Sequence, residues 1–375
     1  MTPLDRERLQ EALAEAGLSI GLSEPNPRVG CVLGRPDGTV IGRGHTQRDG
    51  GPHAEVMALQ DAQSAGQDPQ GATAWVTLEP CSHHGRTPPC SDALIAAGLA
   101  RVVVAVGDPH HQVNGAGLER LRAAGIQVDM ADADLALLAR EINIGFFSRM
   151  ERGRPWTRLK IASSLDGFTA LLDGSSKWIT SDHARRDGHM WRRRAGAVLT
   201  GAGTVLADDP RLDVRDVPGF TQPLRVVLDS RYRTPASARV LQPPGQCLVY
   251  GVSRPNFAAL AGVEQVEAPA QDGRVDLPFV LQDLAHRRIN ELHVEAGATL
   301  SGSLLRHGLI DELLVYIAPR LLGKGRRFAD LPAPLRLSAE AEWTCIDQAL
   351  IGPDLRLRLR LRPKVSENLT NVGHT

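Results

Sequence analysis

A chain of 375 residues has room for two or three domains, and its 42% hydrophobic and 23% charged residues are those of an ordinary globular protein. Its 43 basic residues balance 43 acidic ones and aromatics make up only 4%, which speaks against a generally basic nucleic-acid binder and leaves few platforms for stacking bases. No apolar run approaches the roughly 18 residues of a membrane span, the charged start (Asp5, Arg6, Glu7, Arg8, Glu11) is unlike a secretory signal, and five cysteines, an odd number, point to a reducing compartment, the cytoplasm.

Along the chain, Leu9, Ala12, Leu13 and Ala16 recur at helical spacing over residues 4–17. Residues 29–33 and 39–42 flank Arg35-Pro36-Asp37-Gly38 as a hairpin. Helices at 53–66, 91–98 and 115–124 then alternate with strands at 72–78, 101–106 and 126–130, an α/β layered sheet with right-handed crossovers. A helix over 132–149 runs into Glu151-Arg152-Gly153-Arg154-Pro155, a charged Gly/Pro stretch that sets a domain boundary: 1–150 and 151–363. In the second part, strands are expected at 156–163, 197–200, 224–228, 247–251, 291–295 and 312–317, with helices near 182–194, 278–288 and 299–307. Residues 355–361 alternate leucine with arginine, a strand with one wet face. The polar tail at 364–375 is expected to be disordered. Two different α/β domains is the reading.

The first chemical constellation is His53-Ala54-Glu55, opening a helix, with Cys81 at a strand end after Pro80 and Cys90 beyond an eight-residue insertion. One imidazole and two thiolates leave a fourth tetrahedral position on Zn²⁺ open, the mark of a catalytic site. Thiolates near helix N-termini are ready ligands. Glu55, two residues after the histidine, is free to shuttle protons, the arrangement of zinc nucleobase deaminases, although the Cys–Cys spacing is longer than theirs. His-x-Glu alone recurs by chance and lone cysteines are usually packing groups, as Cys31, Cys247 and Cys345 are read here. A structural zinc with His83 or His84 as fourth ligand remains a competing reading.

The run from Thr77 to Cys90, with His53-Ala54-Glu55 and Pro25-Asn26-Pro27-Arg28-Val29-Gly30, resembles the bifunctional riboflavin-biosynthesis deaminase–reductase family. The resemblance covers residues 5–360 and implies a cytidine-deaminase-like three-layer α/β/α domain followed by a dihydrofolate-reductase-like α/β domain. It implies hydrolytic deamination of a diaminopyrimidinone carrying a phosphoribosylamino group, with Glu55 taking a proton from water and returning it to the departing ammonia. It also implies that Asn26, His45, His83 and Arg86 line that substrate pocket. Asn26 can bond a heterocycle edge, and Arg86 can meet a phosphate.

In the second domain, Gly201-Ala202-Gly203-Thr204 follows a strand and Gly297 precedes a helix, where backbone N–H groups can receive phosphates. As glycine loops these are weak signals, since the third glycine of a dinucleotide fingerprint is missing. The resemblance implies an NADPH-using reductase. Ala162, Trp178, Thr204, Asp208, Ser230 and the run Gly297, Ala298, Thr299, Leu300, Ser301, Gly302, Ser303 would contact the cofactor, and Ser176, Arg192, Leu212, Arg215 and Glu295 the substrate. Hydride transfer to the anomeric carbon would open ribose to ribityl. Asp208, Glu295 and Lys160 are candidate acids, and the sequence does not choose among them. Arg231 or Arg233, beside Ser230, suits the 2′-phosphate of NADPH.

The expected protein is therefore a cytoplasmic homo-oligomeric enzyme with one Zn²⁺ per chain, NADPH as its second cofactor and a small-molecule substrate, and without nucleic-acid or membrane partners. Two alternatives are a nucleoside or nucleic-acid deaminase fused to an unrelated reductase, and a non-catalytic zinc-stabilised binding module.

Overall fold

The continuous apolar strands of the N-terminal part build a five-stranded sheet with a helix-covered core on each face. In the computed structural model, which describes residues 1–82, 88–109, 115–215, 217, 219–253, 260–333 and 342–362, the elements run α1 (Pro3–Leu18), β1 (Gly30–Gly34), β2 (Val40–His45), α2 (Ala54–Ser64), β3 (Thr73–Val76), α3 (Cys90–Ala96), β4 (Arg101–Val104), α4 (Ala116–Ala123), β5 (Gln127–Met130), α5 (Ala133–Ile142) and α6 (Ile144–Arg152). Strand order is β2-β1-β3-β4-β5, with β1 antiparallel to both neighbours and β3, β4 and β5 parallel. Successive side chains point to opposite faces. Cys31, Leu33, Val76, Val102 and Val104 pack on Ala54, Ala58 and Ala62 of α2. Val32, Trp75 and Val103 pack on Leu9 and Ala12 of α1 and on Leu135 and Ala139 of α5. This is the expected three-layer arrangement, and burial on both faces explains the unbroken apolar run of β4.

Thr2 starts α1 with a capping box: its hydroxyl accepts from Asp5 N at 3.1 Å, and its own N–H donates to the Asp5 carboxylate at 2.9 Å. Burial pushes the Asp5 carboxyl up, but bonds from Arg101, Thr2 and the Trp75 indole outweigh it and hold it below the usual carboxylate range. The single helix expected over 132–149 is two, α5 and α6, broken at Asn143. The Asn143 side chain pairs with the backbone of Arg28, accepting from its N–H at 2.7 Å and donating to its carbonyl at 2.9 Å. A remote partner thus sets that break.

The chain continues through β6 (Trp156–Ser164), β7 (Phe168–Leu171), α7 (Asp182–Arg194), β8 (Ala197–Gly201), α8 (Ala202–Asp208), β9 (Leu224–Leu228), β10 (Cys247–Gly251), β11 (Val263–Glu267), β12 (Ala270–Gln271), β13 (Arg274–Val275), α9 (Leu277–His286), β14 (Glu291–Val294), α10 (Ala298–Arg306), β15 (Glu312–Ala318), β16 (Gly325–Arg327), β17 (Trp343–Ile351) and β18 (Asp354–Leu361). By contact density the chain divides into two units: Met1–Trp156 with His189–Val198 and Asp209–Leu292, and Thr157–Gly188 with Leu199–Asp208 and His293–Thr375. Besides the three-layer sheet, the first unit holds the parallel strands β9, β10 and β11, with β12 and β13 as a small hairpin. In the second, β6 runs parallel to β15, which pairs antiparallel with β18, and β18 with β17; β7 pairs with β16. The tail at 364–375 lies outside the described residues.

The arginine face of β18 is not the wet face its alternation suggests. Arg358 and Arg360 turn onto Glu312, which also receives the fully buried Arg158 at 2.8 Å. Burial pushes the Glu312 carboxyl up, yet the guanidinium groups of Arg158 and Arg358 outweigh it and hold it well below the carboxylate range. A carboxylate depressed in this way stabilises the fold fully above its unfolded value and loses that contribution as pH falls toward the folded one. Glu312→Gln leaves buried guanidinium charge uncompensated and should cost about 3–5 kcal/mol. Urea titrations between about pH 7 and pH 2 check both points, because the variant should also lose part of the acid-induced decline in stability. Equal stability of the two proteins at neutral pH would overturn the assignment.

Candidate active sites

A close backbone approach puts the first of the metal-site candidates in place. α2 lies so near β2 that a Cβ on Gly44 would sit 2.3 Å from the carbonyl oxygen of Ala54, so only glycine fits there. His53 is the N-cap of α2 and Glu55 lies in its first turn. Cys81 follows β3, and Cys90 is the first residue of α3. The backbone N–H of Cys90 donates to Cys81 Sγ at 3.3 Å, and that of Ser91 to the carbonyl of Cys81 at 3.1 Å. The segment bearing Cys81 is tied down by Glu79, a buried carboxylate that accepts from the backbone N–H of Asp108, Gly115 and Gly117 at 3.2, 3.0 and 3.0 Å. Sequence reasoning missed Glu79. Its signal was an acid closing an otherwise apolar strand.

The donors His53 Nδ1, Cys81 Sγ and Cys90 Sγ lie within 4.8 Å of one another. His53 Nδ1 is 3.6 Å from Cys81 Sγ and 3.3 Å from Cys90 Sγ. Nitrogen and sulfur bound to one tetrahedral zinc at ordinary bond lengths stand about 3.6 Å apart, so the donor set fits that ion. The hydrogen bond from Cys90, together with His53, lowers the Cys81 thiol to about 4, so the cluster already favours a thiolate. Glu55 is buried beside these groups, and burial, followed by the charge of Cys81, pushes its carboxyl up to about 7.

Asn26 lies in the loop between α1 and β1, where its Oδ1 accepts from Arg288 at 3.4 Å. His45 ends β2, with Nδ1 3.4 Å from a carboxylate oxygen of Glu15. His83 and Arg86 lie outside the described residues.

Of the reductase candidates, the second unit carries Ala162 on β6, Ser176 and Trp178 in the segment before α7, Thr204 and Asp208 on α8, Glu295 after β14, and the run 297–303. Gly297 is the N-cap of α10 and makes no side-chain cap bond, and the start of that helix is of the kind that receives an anion such as a diphosphate. The hydroxyl of Thr204 accepts from Gly297 N at 3.2 Å, bringing those two together. Trp178 is exposed, with the guanidinium of Arg185 4.3 Å from its ring centroid.

The first unit carries Ser230, Arg192, Leu212 and Arg215. The Ser230 hydroxyl accepts from Val275 N at 3.1 Å. Arg215 donates to the buried carboxylate of Asp213 at 2.5 Å and Arg192 to the main-chain carbonyl oxygen of the same residue at 3.1 Å, so one residue gathers both substrate candidates. Leu212, next to it, is buried at φ 53°. Asp213 escaped sequence reasoning because nothing in an isolated Leu-Asp-Val-Arg string shows which arginines it meets. Among the described residues no helix is long and apolar enough to cross a membrane.

Comparison with known proteins assigns both halves. Residues 3–106 match the cytidine and deoxycytidylate deaminase zinc-binding region, and residues 155–357 match the RibD C-terminal domain. The riboflavin biosynthesis protein RibD of Escherichia coli is 45% identical over 350 residues, 90% of this chain and 94% of that protein. Its counterpart in Aquifex aeolicus is 43% identical, covering 88% of this chain and 90% of its own length. The solved structure of Acinetobacter baumannii RibD aligns with a TM-score of 0.86 at 43% identity, covering 96% of this chain and 99% of that one. A Thermotoga maritima diaminohydroxyphosphoribosylaminopyrimidine deaminase/5-amino-6-(5-phosphoribosylamino)uracil reductase aligns with a TM-score of 0.87 at 32% identity, with the same coverage.

Proposed function

The chain belongs to the bifunctional RibD family of riboflavin-biosynthesis deaminase–reductases, and from that premise we propose which of its residues carry each reaction. The enzyme deaminates a phosphoribosylaminopyrimidine with zinc and then reduces it with NADPH. Residues 1–150 form the deaminase part and 151–363 the reductase part of this reading. The observation that carries it is the meeting of His53, Cys81 and Cys90 beside a buried Glu55.

In the deaminase, His53, Cys81 and Cys90 would hold Zn²⁺, which when bound acidifies water at its open position. Glu55 takes the proton of the attacking water at its carboxylate and returns it to the leaving amino group. Its burial keeps that proton from bulk solvent. Asn26, His45, His83 and Arg86 orient the pyrimidine and its phosphoribosyl group. In the reductase, Ala162, Trp178, Thr204, Asp208, Ser230 and residues 297–303 hold NADPH, which supplies hydride. Ser176, Arg192, Leu212, Arg215 and Glu295 hold the substrate, with Asp213 ordering the two guanidinium groups. The substrate is a small molecule; a homo-oligomer in the cytoplasm, without nucleic-acid partners, completes the proposal. Ammonia release and NADPH oxidation measured on one purified chain test it, and absence of either activity would overturn the bifunctional assignment.

Choice of NADPH over NADH is assigned to the turn after β9. Arg233 is 3.6 Å from the buried Asp229 and half-committed to it, while Arg231 is exposed. Arg231→Ala should therefore raise the KM for NADPH about tenfold to a hundredfold, the worth of a lost charge-assisted contact, and scarcely change that for NADH. Arg233→Ala should do less. Steady-state kinetics with both nucleotides decide, and equal effects on the two would remove both arginines from the 2′-phosphate site.

A further inference from the structure

The loop that carries Asn26 is held by residues remote from the deaminase part of the sequence. Glu291, at the start of β14, is completely buried, and its carboxylate bridges Arg28 Nη1 at 2.5 Å and Arg194 Nε at 2.9 Å. Arg28 Nη2 also reaches Glu24 at 3.2 Å and the carbonyl oxygen of Arg194 at 2.7 Å. The neighbouring Asn290 donates through Nδ2 to Glu24 Oε2 and to the carbonyl of Pro25, both at 2.9 Å. Helix α6 comes so close that a Cβ on Gly145 would sit 2.4 Å from Glu291 Cγ. Glu24 and Glu291 thus share Arg28 and Arg194 in a dry space, with Arg149 beside them on Asn290 Oδ1 at 2.7 Å, and losing one partner strands the others.

The placement has a direction. Asn26 lies between Pro25 and Pro27, each with its φ locked by the ring. The freedom left to the loop is at its two ends, Glu24 and Arg28, and Asn290 and Glu291 hold both. The same carboxylate fixes Arg194 in the last turn of α7, two residues beyond Arg192. We propose that Glu291 is a positioning residue shared by both reactions, setting Asn26 for the pyrimidine and Arg192 for the reductase substrate. This rests on the substrate roles assigned above to Asn26 and Arg192. Of these two substrate groups Asn290 bears on Asn26, while its Oδ1 accepts from Arg149 of α6.

The test is a set of full-length variants in which kcat and KM are measured separately for ammonia release and for NADPH oxidation with deaminated substrate. Glu291→Gln should raise both substrate KM values about tenfold, since small misplacements of binding groups cost that much or more, while each kcat and the zinc content stay near the parent values. A role confined to stability would instead lower the amount of active enzyme, and so the apparent kcat, at unchanged KM. Asn290→Ser, a milder change that keeps the ion cluster, should raise the deaminase KM only, and it decides the matter if Glu291→Gln does not fold. Asn26→Ala and Arg192→Ala separate the premises: flat KM values there overturn the substrate roles themselves. Sensitive controls with a flat Glu291→Gln, or with a flat Asn290→Ser, overturn the shared clamp.

Discussion

Ammonia release should fall about 10²–10⁴-fold in Glu55→Gln, the usual worth of a positioned proton carrier, while reduction of already deaminated substrate continues at the parental rate. The amide keeps the volume of the carboxylate in a site where Glu55 is only 3% exposed, so the fold of α2 should survive and zinc should stay bound. What is lost is the group that accepts a proton from the attacking water and delivers it to the leaving nitrogen. Activity assays on each half-reaction, with circular dichroism to verify folding, check this. Loss of both activities in a folded variant would overturn the two-site arrangement, and retention of ammonia release would remove Glu55 from the reaction.

Cys81→Ser and Cys90→Ser should each cost more than about 100-fold in zinc affinity, because even partners that only orient a ligand are worth about 10–100-fold. Serine retains size and polarity but remains a protonated, hard and weak donor where a thiolate is needed. After dialysis against a chelator, metal content should fall to background and ammonia release with it. NADPH oxidation on deaminated substrate should persist. Full zinc retention in either variant would sink the assignment of that cysteine as a ligand. Cys31, buried in the sheet and pushed up by burial and by the charge of Glu55, is a packing group, and Cys31→Ala should leave the zinc content unchanged.

The amino-acid sequence by itself determined the layered α/β character of the N-terminal part, the continuous apolar run of β4, and, each in its own stretch of chain, the candidate donors His53, Cys81 and Cys90 with Glu55. These are local matters: an apolar run, a helix start, a proline before a cysteine. Each can be read within a dozen residues because backbone geometry imposes it there. The break at Asn143, the paired arginine face of β18 and the roles of Glu79, Asp213 and Glu291 were not legible. Arg28 and Glu291 are 263 residues apart in the chain, and a carboxylate has the same letter whether it faces water or closes a buried ion cluster. Its charge becomes a structural commitment only when the fold removes water and sets particular guanidinium and amide groups against it, a choice made by tertiary packing.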